Sequence, residues 1–349
     1  MGKYLLKRFL YILLVFFMLS FLMYVIFDAV PFDRAKTLSE AQRGVYKNDP
    51  NGPAKLEKLY HDYRVELGYE DKEGNDINIV ERWLAWLGLM PKNGKFSGML
   101  QGDFGDSYLT VVKPVMDVVR EPMKTTIFIN IIATVIALAV TIPLGIFCAV
   151  KKGSKRDTAI QVGSIIGYSM PTFIVAILFI FLFAILIPIF PVSGMGTPGN
   201  PYTGIVAFFD KLYYLCLPLI VMTFCSLGGM TRYVRASMIE ALSMDCIRTA
   251  RAKGLKERTV IYSHAWRNAL IPIVTLVVGW FLGIFSGSIM IETIFQIEGM
   301  GKVYISSLNA NDYNVVLTLQ MFYIIIALMG NLLIDILYGV IDPRIRVNK

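Results

Sequence analysis

Charged residues are scarce in this chain: they make up 17% of its 349 residues, whereas about a quarter is usual for a soluble domain. There are only two histidines and four cysteines, without CxxC spacing and without a histidine at metal-site spacing. These shortages exclude a soluble enzyme, a disordered chain and a secreted disulfide scaffold, and they predict no metal site. The hydrophobic fraction of 55% and the mean hydropathy of +0.57 are typical of a membrane protein instead.

Charges are absent from six long runs of the sequence. These runs are 9–27, 125–150, 158–209, 212–231, 268–291 and 313–334. A helix needs about 20 apolar residues to cross the hydrocarbon core, and a helix satisfies its own backbone polar groups inside lipid. The run 158–209 has room for two spans, but its second half is so rich in proline and glycine that we predict one span followed by an apolar external loop. The sequence therefore predicts an all-α integral membrane protein with six transmembrane helices.

Basic residues concentrate on one side of this predicted topology. The segments 1–8, 151–157, 232–267 and 342–349 hold 18 Lys and Arg against five acidic residues, whereas the other side holds 16 against 19. Because short basic loops stay in the cytoplasm, we predict that both termini are cytoplasmic. The first apolar run could also be a signal peptide, but its length and the lack of a small-residue cleavage site favour a retained helix.

The one sizeable hydrophilic block, residues 31–124, falls on the extracytoplasmic side of this topology. Apolar residues at helical spacing, followed by Gly68, predict a helix over 53–67, and the apolar positions between Ile79 and Leu87 indicate a second one. We expect a small helical cap on the outer membrane surface. It could dock an external partner, or it could be a solvated spacer.

The predicted organisation therefore has three parts. Residues 1–30 form a cytoplasmic N-terminus and the first transmembrane helix, and residues 31–124 form the extracytoplasmic insertion. Residues 125–349 form a five-helix transmembrane core that carries a long cytoplasmic loop at 232–267.

Ionisable residues are nearly missing from the spans. Asp335, with Asn331 one turn earlier, is the single candidate for a coupling-ion site, and a helix-packing role near the cytoplasmic end is the alternative. Gly301-Lys302 superficially ends a phosphate-binding loop, but Gln296 and Val303 break that pattern. We therefore expect no catalytic group and no nucleotide site in this chain.

The segment 232–267 is unusual for a connector. Its apolar residues recur at every fourth position from Met238 to Ala250, with cations between them, and Gly254 can end a helix. The small Ala250 and Gly254 would let another protein approach closely. We interpret the segment as a short cytoplasmic helix presented to a partner, and the alternative is an interfacial helix whose cations reach lipid head groups.

The same segment resembles the coupling-loop signature of ABC importer permeases, through Thr249 to Leu255 and the stretch from His264 to Pro272. In detail it is similar to the dipeptide/oligopeptide permease family, of the first-permease type. The resemblance covers residues 1–30 and 96–349. Other motifs of that family follow in the right order along the second range, and these motifs are Gly102–Ser107, Pro191–Gly194, Glu292–Phe295, Gly299–Gly301 and Asp342–Arg346.

This resemblance implies the type I ABC importer permease fold and a place in a bacterial or archaeal cell membrane. It implies a second, homologous permease, two cytoplasmic ATPase subunits that bind ATP and magnesium, and an extracellular substrate-binding protein or lipoprotein that delivers a dipeptide or oligopeptide. This chain would then bind membrane lipid but no cofactor of its own and no nucleic acid, despite its net charge of +8.

Other substrates and another class of transporter stay open at this point. The same architecture could import nickel chelates, metallophores or glutathione, because the sequence carries no ligand signature. An ion-coupled secondary carrier is the alternative from a different class.

Two sets of residues are candidates for the functional site. The resemblance implies that one set couples this chain to the ATPase subunits. This set is Asp245, Arg248, Thr249, Ala250, Arg251, Ala252, Lys253 and Gly254. Polar residues within the spans could line the translocation path, although small hydroxyl residues also pack membrane helices together. This second set is Asn130, Ser169, Thr223, Ser286 and Asn331.

Overall fold

The computed structural model describes residues 2–91, 94–108, 112–199 and 202–341. The chain divides into two compact units. The larger unit comprises residues 1–2, 120–305 and 325–349, and the smaller unit comprises residues 3–119 and 306–324. The sequence predicts boundaries at residues 30 and 124. These boundaries are defined by membrane topology, whereas the two units are defined by contacts within the chain, so the predicted boundaries stay a prediction.

The smaller unit contains the first long helix and the predicted insertion. Its helices are α1 (Gly2–Asp28), α2 (Arg34–Ala41), α3 (Gly52–Leu67) and α4 (Ile79–Leu87), and a two-stranded antiparallel sheet joins β1 (Asp106–Ser107) to β2 (Lys113–Pro114). The two helices predicted within the insertion are thus confirmed as α3 and α4. Gly68 ends α3 in the left-handed region, at φ 84°, which glycine adopts without the steric cost of a side chain.

The insertion is fixed to α1 by polar and apolar contacts within this unit. The guanidinium of Arg82 in α4 donates two hydrogen bonds to the carboxylate of Asp28, at 2.6 and 2.9 Å. The next residue, Trp83, donates from Nε1 to Ser20 Oγ at 3.3 Å, and Leu87 is fully buried beside the aromatic rings of α1. These contacts describe an ordered domain rather than a solvated spacer.

The remaining helices carry most of the larger unit. They are α5 (Val115–Val150), α6 (Lys155–Ser169), α7 (Thr172–Ile180), α8 (Gly204–Ser243), α9 (Asp245–Ala252), α10 (Glu257–Thr259), α11 (Trp266–Gly283), α12 (Ile289–Ile294), α13 (Met300–Asn309) and α14 (Tyr313–Ile341). A π-helical turn, Phe181–Leu186, extends α7, and a second one, Val260–Ala265, joins α10 to α11.

The six predicted spans appear as four continuous helices and two bent pairs. Among the described residues, four helices are long and apolar enough to cross a membrane: Leu6–Asp28, Val115–Val150, Gly204–Ser243 and Tyr313–Ile336. The pairs that α6 forms with α7, and that residues 257–270 form with 272–283, bend by 105° and 61°. Counting each bent pair as one span gives six.

The third span differs from the straight helix that its apolar run suggests. Proline has no backbone N–H and disfavours the helical conformation of the residue before it. Met170, which precedes Pro171, is extended at φ −81° and ψ 135°, and the helix breaks there between α6 and α7.

Helix α8 extends well beyond the predicted span 212–231 and meets α6 at close range. A Cβ atom built on Gly228 would lie 2.4 Å from the backbone oxygen of Ser164 and 2.3 Å from the Cβ of Tyr168, both in α6. Only glycine permits this approach. The helix then continues to Ser243, so the first third of the predicted loop 232–267 is a continuation of α8.

A buried carboxylate connects α5, α12 and α13 in the larger unit. Glu292 is 4% exposed, and it accepts hydrogen bonds from Thr126 Oγ1 at 2.9 Å and from the backbone N–H groups of Lys302 and Ser288 at 3.0 and 3.3 Å. Thr126 Oγ1 accepts in turn from the N–H of Met300 at 2.8 Å. Burial raises the pKa of the Glu292 carboxyl, and these donors oppose part of that rise.

We expect Glu292→Gln to destabilise the protein. The glutamine side chain has an NH₂ group in place of one carboxylate oxygen, and this group would face a hydrogen-bond donor instead of accepting from it. An unsatisfied buried polar group costs about 1–3 kcal/mol. The denaturation midpoint of the detergent-purified protein should therefore fall. The matched control is Glu298→Gln, because Glu298 is 69% exposed and pairs with Lys302 at the surface. Equal midpoints for the two variants would contradict this account of Glu292.

Candidate functional site

The predicted coupling residues lie on α9 and on the turn that follows it. A single residue, Met244, separates α9 from the end of α8. Its extended conformation, at φ −67° and ψ 149°, breaks the helix there. Its residues Ile247 and Ala250 are buried, at 0% and 6% exposed. They join an apolar cluster with residues of α8 and of the π-helical turn 260–265. One face of α9 is therefore anchored on its own unit.

The other residues of the set face away from that cluster. Asp245, Arg248, Thr249, Ala252, Lys253 and Gly254 are exposed, and the side chain of Arg251 is 46% exposed. We call these seven residues the coupling surface. The carboxylate of Asp245 and the guanidinium of Arg248 pair at 3.3 Å with exposures of 93% and 76%, so neither charge is bound to the interior. The surface therefore offers both signs of charge to a partner.

The spacing of apolar residues predicts the buried face of this segment only in part. It predicts a stripe from Met238 through Cys246 to Ala250, but the extended Met244 breaks the helix and changes its register. As a result Cys246 is exposed and Ile247 is buried. Ala250 packs against its own chain, at 6% exposed, and its predicted close approach to a partner stays a prediction.

The turn after α9 has the geometry that the sequence predicts. Gly254 lies in the left-handed region, at φ 76°, and its N–H donates to the backbone oxygen of Arg251 at 2.9 Å. No atom lies within 4 Å of where its Cβ would be, so the glycine serves the turn and leaves open space beside it. Arg251 also pairs with Glu257 at 2.6 Å, which ties α9 to the start of α10.

A buried ion pair lies a short distance along the chain from the coupling surface. Asp157, at the start of α6, is 1% exposed and accepts from Nε and Nη2 of Arg235 in α8, both at 2.9 Å. The same carboxylate accepts from the N–H of Gly153 and from the side-chain amide of Gln161. Arg235 lies ten residues before α9 begins. The pair therefore fixes α6 to the part of α8 that leads into the coupling segment.

Sequence reasoning missed this pair. Two signals were present: Asp157 is the single acid in the basic segment 151–157, and Arg235 is one of eight cations in 232–267. Neither signal says which cation meets which acid, because the partners are 78 residues apart.

The candidate path residues are found in different environments. The side-chain amide of Asn130 donates to the backbone oxygens of Ile284 and Ser286, at 2.8 and 2.9 Å, so it supports the chain after α11. The side chains of Ser286, Ser169 and Asn331 are exposed. The hydroxyl of Thr223 is buried and has no hydrogen-bond partner within the described residues. A common path for these residues stays a prediction, and the motif at 342–346 lies outside the described residues.

Comparison with known proteins identifies the family. Residues 141–347 match the model of the family described as "Binding-protein-dependent transport system inner membrane component". The oligopeptide transport system permease protein AppB of Bacillus subtilis is 35% identical over 274 residues, which cover 78% of this chain and 81% of AppB. The dipeptide transport system permease protein DppB of the same organism is 30% identical over 352 residues, covering 100% of this chain and 99% of DppB.

One solved structure is similar over part of the chain. It is the inward-facing MetNI methionine ABC transporter, with a TM-score of 0.49 and 14% identity, covering 64% of this chain and 98% of that one.

The fold, the family match and the two relatives from Bacillus subtilis define a multi-pass membrane subunit of a transport system. The chain belongs to the family of binding-protein-dependent transport system inner membrane components, as the sequence resemblance predicts. An ABC importer permease of this kind assembles in the membrane with ATPase and binding-protein partners. The alignment with DppB covers the whole chain and so runs through residues 35–95, where the sequence resemblance stops short.

We expect Asp157→Ala to destabilise the protein strongly, because it leaves Arg235 without its partner. Removing one partner of a buried ion pair costs about 3–5 kcal/mol. The control is Asp245→Ala, whose exposed pair with Arg248 is worth about 0–1 kcal/mol. Denaturation midpoints of the two purified variants make the comparison. A midpoint for Asp157→Ala as high as that of the control would show that the pair does not hold α6 to α8.

Proposed function

We propose that this chain is a permease subunit of an ATP-driven importer of dipeptides or oligopeptides. The substrate class is supported by two relatives, AppB and DppB of Bacillus subtilis, which are named for oligopeptide and dipeptide transport. The DppB alignment covers the whole chain and so includes α8, α9 and the helices after them. Nickel chelates, metallophores and glutathione are the alternative substrates within the same architecture.

In this proposal the chain pairs with a second, homologous permease, and two ATPase subunits dock at α9. The excess of basic residues in segments 1–8, 151–157 and 232–267 supports a cytoplasmic position for α9 and for both termini. ATP and magnesium are bound by the ATPase subunits, and this chain contributes neither a nucleotide site nor a catalytic group. An extracellular binding protein delivers the peptide on the side of the insertion.

The observation that carries this proposal is the two-faced packing of α9. Its polar face is exposed over seven residues, whereas Ile247 and Ala250 are buried against α8 and the turn 260–265. A force applied to the exposed face is therefore passed to α8 and α11 as a rigid displacement. The ion pair of Asp157 with Arg235 passes the same displacement to α6. ATP binding closes the ATPase dimer, and α9 moves with it, so the spans tilt between inward-open and outward-open states.

We expect Gly254→Arg to uncouple transport, because its long charged side chain would enter the open space beside the turn, where an ATPase subunit docks. Peptide uptake should fall at least tenfold, while membrane insertion and yield stay unchanged. Gly254→Ala is the matched control, since it carries the same strain at φ 76° without the bulk. Peptide-stimulated ATP hydrolysis in liposomes measures the coupling. Normal uptake by Gly254→Arg would contradict a docking role for this turn.

The proposed function is tested by purifying the tagged chain from its native membrane in mild detergent. We expect two ATPase subunits and a second six-span permease to copurify, and the reconstituted complex to import labelled trialanine only with ATP and its binding protein. Uptake driven by a proton or sodium gradient without ATP would instead identify a secondary carrier. Asp335 would then be the residue to substitute.

A further inference from the structure

The smaller unit encloses a cavity of about 1070 Å³. Its walls come from the C-terminal end of α1, the start of α2, the end of α3 with the charged loop 68–77, the helix α4, the chain before β1 and the start of α14. Pockets that hold drug-sized ligands have volumes of about 300–1000 Å³. The cavity is therefore large enough for a small organic molecule or a short peptide.

Aromatic rings supply much of the cavity wall. Tyr24 of α1 packs against Trp86 of α4 with ring centroids 5.7 Å apart, and Phe27 and Phe32 pack against Tyr313 at 5.5 and 5.9 Å. Large rigid rings bind varied side chains through area and stacking rather than through a specific hydrogen-bond pattern. Such a wall suits a ligand whose side chains vary.

The ion pair of Asp28 with Arg82 also lies in this wall. The side chains of Asp28 and Arg82 are only 21% and 15% exposed. The Nε of Arg82 has no hydrogen-bond partner among the described residues. The guanidinium also lies 5.2 Å from the centre of the Tyr69 ring. The wall therefore combines a fixed ion pair with an aromatic ring.

A second cation in the wall is held without a full set of hydrogen bonds. Arg34, at the start of α2, is 14% exposed, and its Nη1 lies 3.7 Å from Asp312 Oδ1, which is too far for a hydrogen bond. Asp312 directs its other oxygen to Ser107 Oγ and to the N–H of Tyr108, at 2.7 and 2.8 Å. The guanidinium of Arg34 stacks on the ring of Tyr108, 3.7 Å from its centroid. This arrangement fixes the plane of Arg34 and leaves its donors for a carboxylate.

We propose that this cavity binds a short peptide, with Arg34 taking the peptide's carboxylate and the aromatic wall taking its side chains. This inference rests on the proposed function, since the insertion then lies on the side from which the peptide arrives. The binding is sequence-tolerant, because a free carboxylate and a peptide backbone are common to all short peptides. The insertion thus provides a substrate site of the permease itself, separate from that of the binding protein.

The test measures access to the cavity in the purified complex without its binding protein. Ala85 lines the cavity on α4, whereas Val80 of the same helix is 43% exposed and does not line it. The variants Ala85→Cys and Val80→Cys are made after the four natural cysteines have been replaced by alanine. Each is labelled with a thiol reagent in the presence of trialanine or of trialanine amide.

We expect trialanine to slow the labelling of Ala85→Cys at least fivefold and to leave Val80→Cys unchanged. Trialanine amide should need at least a tenfold higher concentration for the same protection, because it has no carboxylate for Arg34. Equal protection by the two peptides, or none by either, would overturn the proposal. Protection that appears only with added binding protein would also overturn it, because the cavity would then dock that protein.

A second pair of variants relates the cavity to transport. Ala85→Trp fills the cavity, and Val80→Trp adds the same bulk at the surface of α4. We expect ATP-driven trialanine uptake to fall at least tenfold for Ala85→Trp alone. Uptake equal to that of Val80→Trp would overturn a role of the cavity in transport. If the unmodified complex imports no peptide, the proposed function fails, whereas the labelling result still decides whether the cavity binds peptide.

Discussion

The hydrocarbon core of a membrane has no water, so every backbone and charged group inside it needs a partner from the protein. This constraint makes the chain helical, and it removes charge from the six runs that form the spans. The few charges that the larger unit buries next to these runs are also partnered, because burial in protein removes water as well. Asp157 meets Arg235 and two further donors, and Glu292 meets Thr126 and two backbone amides. Each of these carboxylates ties two or more helices together.

The coupling surface depends on the same helix contacts. A helix of eight residues has little stability of its own, so its position comes from what it packs against. Ile247 and Ala250 supply that packing, and the extended Met244 sets their direction. The exposed face of α9 can then carry charged and polar side chains without loss of stability. A partner that pushes on this face displaces α8, and the pair of Asp157 with Arg235 links α8 to α6.

The insertion is not subject to this constraint, because water reaches most of its polar groups. Its attachment to α1 rests on one bidentate ion pair, one indole hydrogen bond and an apolar contact at Leu87. Arg34 and Asp312 add a further contact between α2 and the start of α14 within the same unit. These groups support the cavity and also line part of it. A site built this way keeps its shape without a bound ligand, which lowers the entropic cost of binding.

Local patterns sufficed to predict the spans, the helices α3 and α4, and the turn at Gly254, because run length, caps and breakers act over a few residues. The resemblance of residues 249–255 was equally local. The bend at Pro171, the buried face of α9 and the pair of Asp157 with Arg235 came only from the tertiary structure. A proline in the sequence indicates where a helix can break, but it does not give the angle of the bend. The extended conformation of Met244 changes which side chains of α9 face inward. Partners 78 residues apart meet only because α6 and α8 pack together, and no spacing in the sequence encodes that contact.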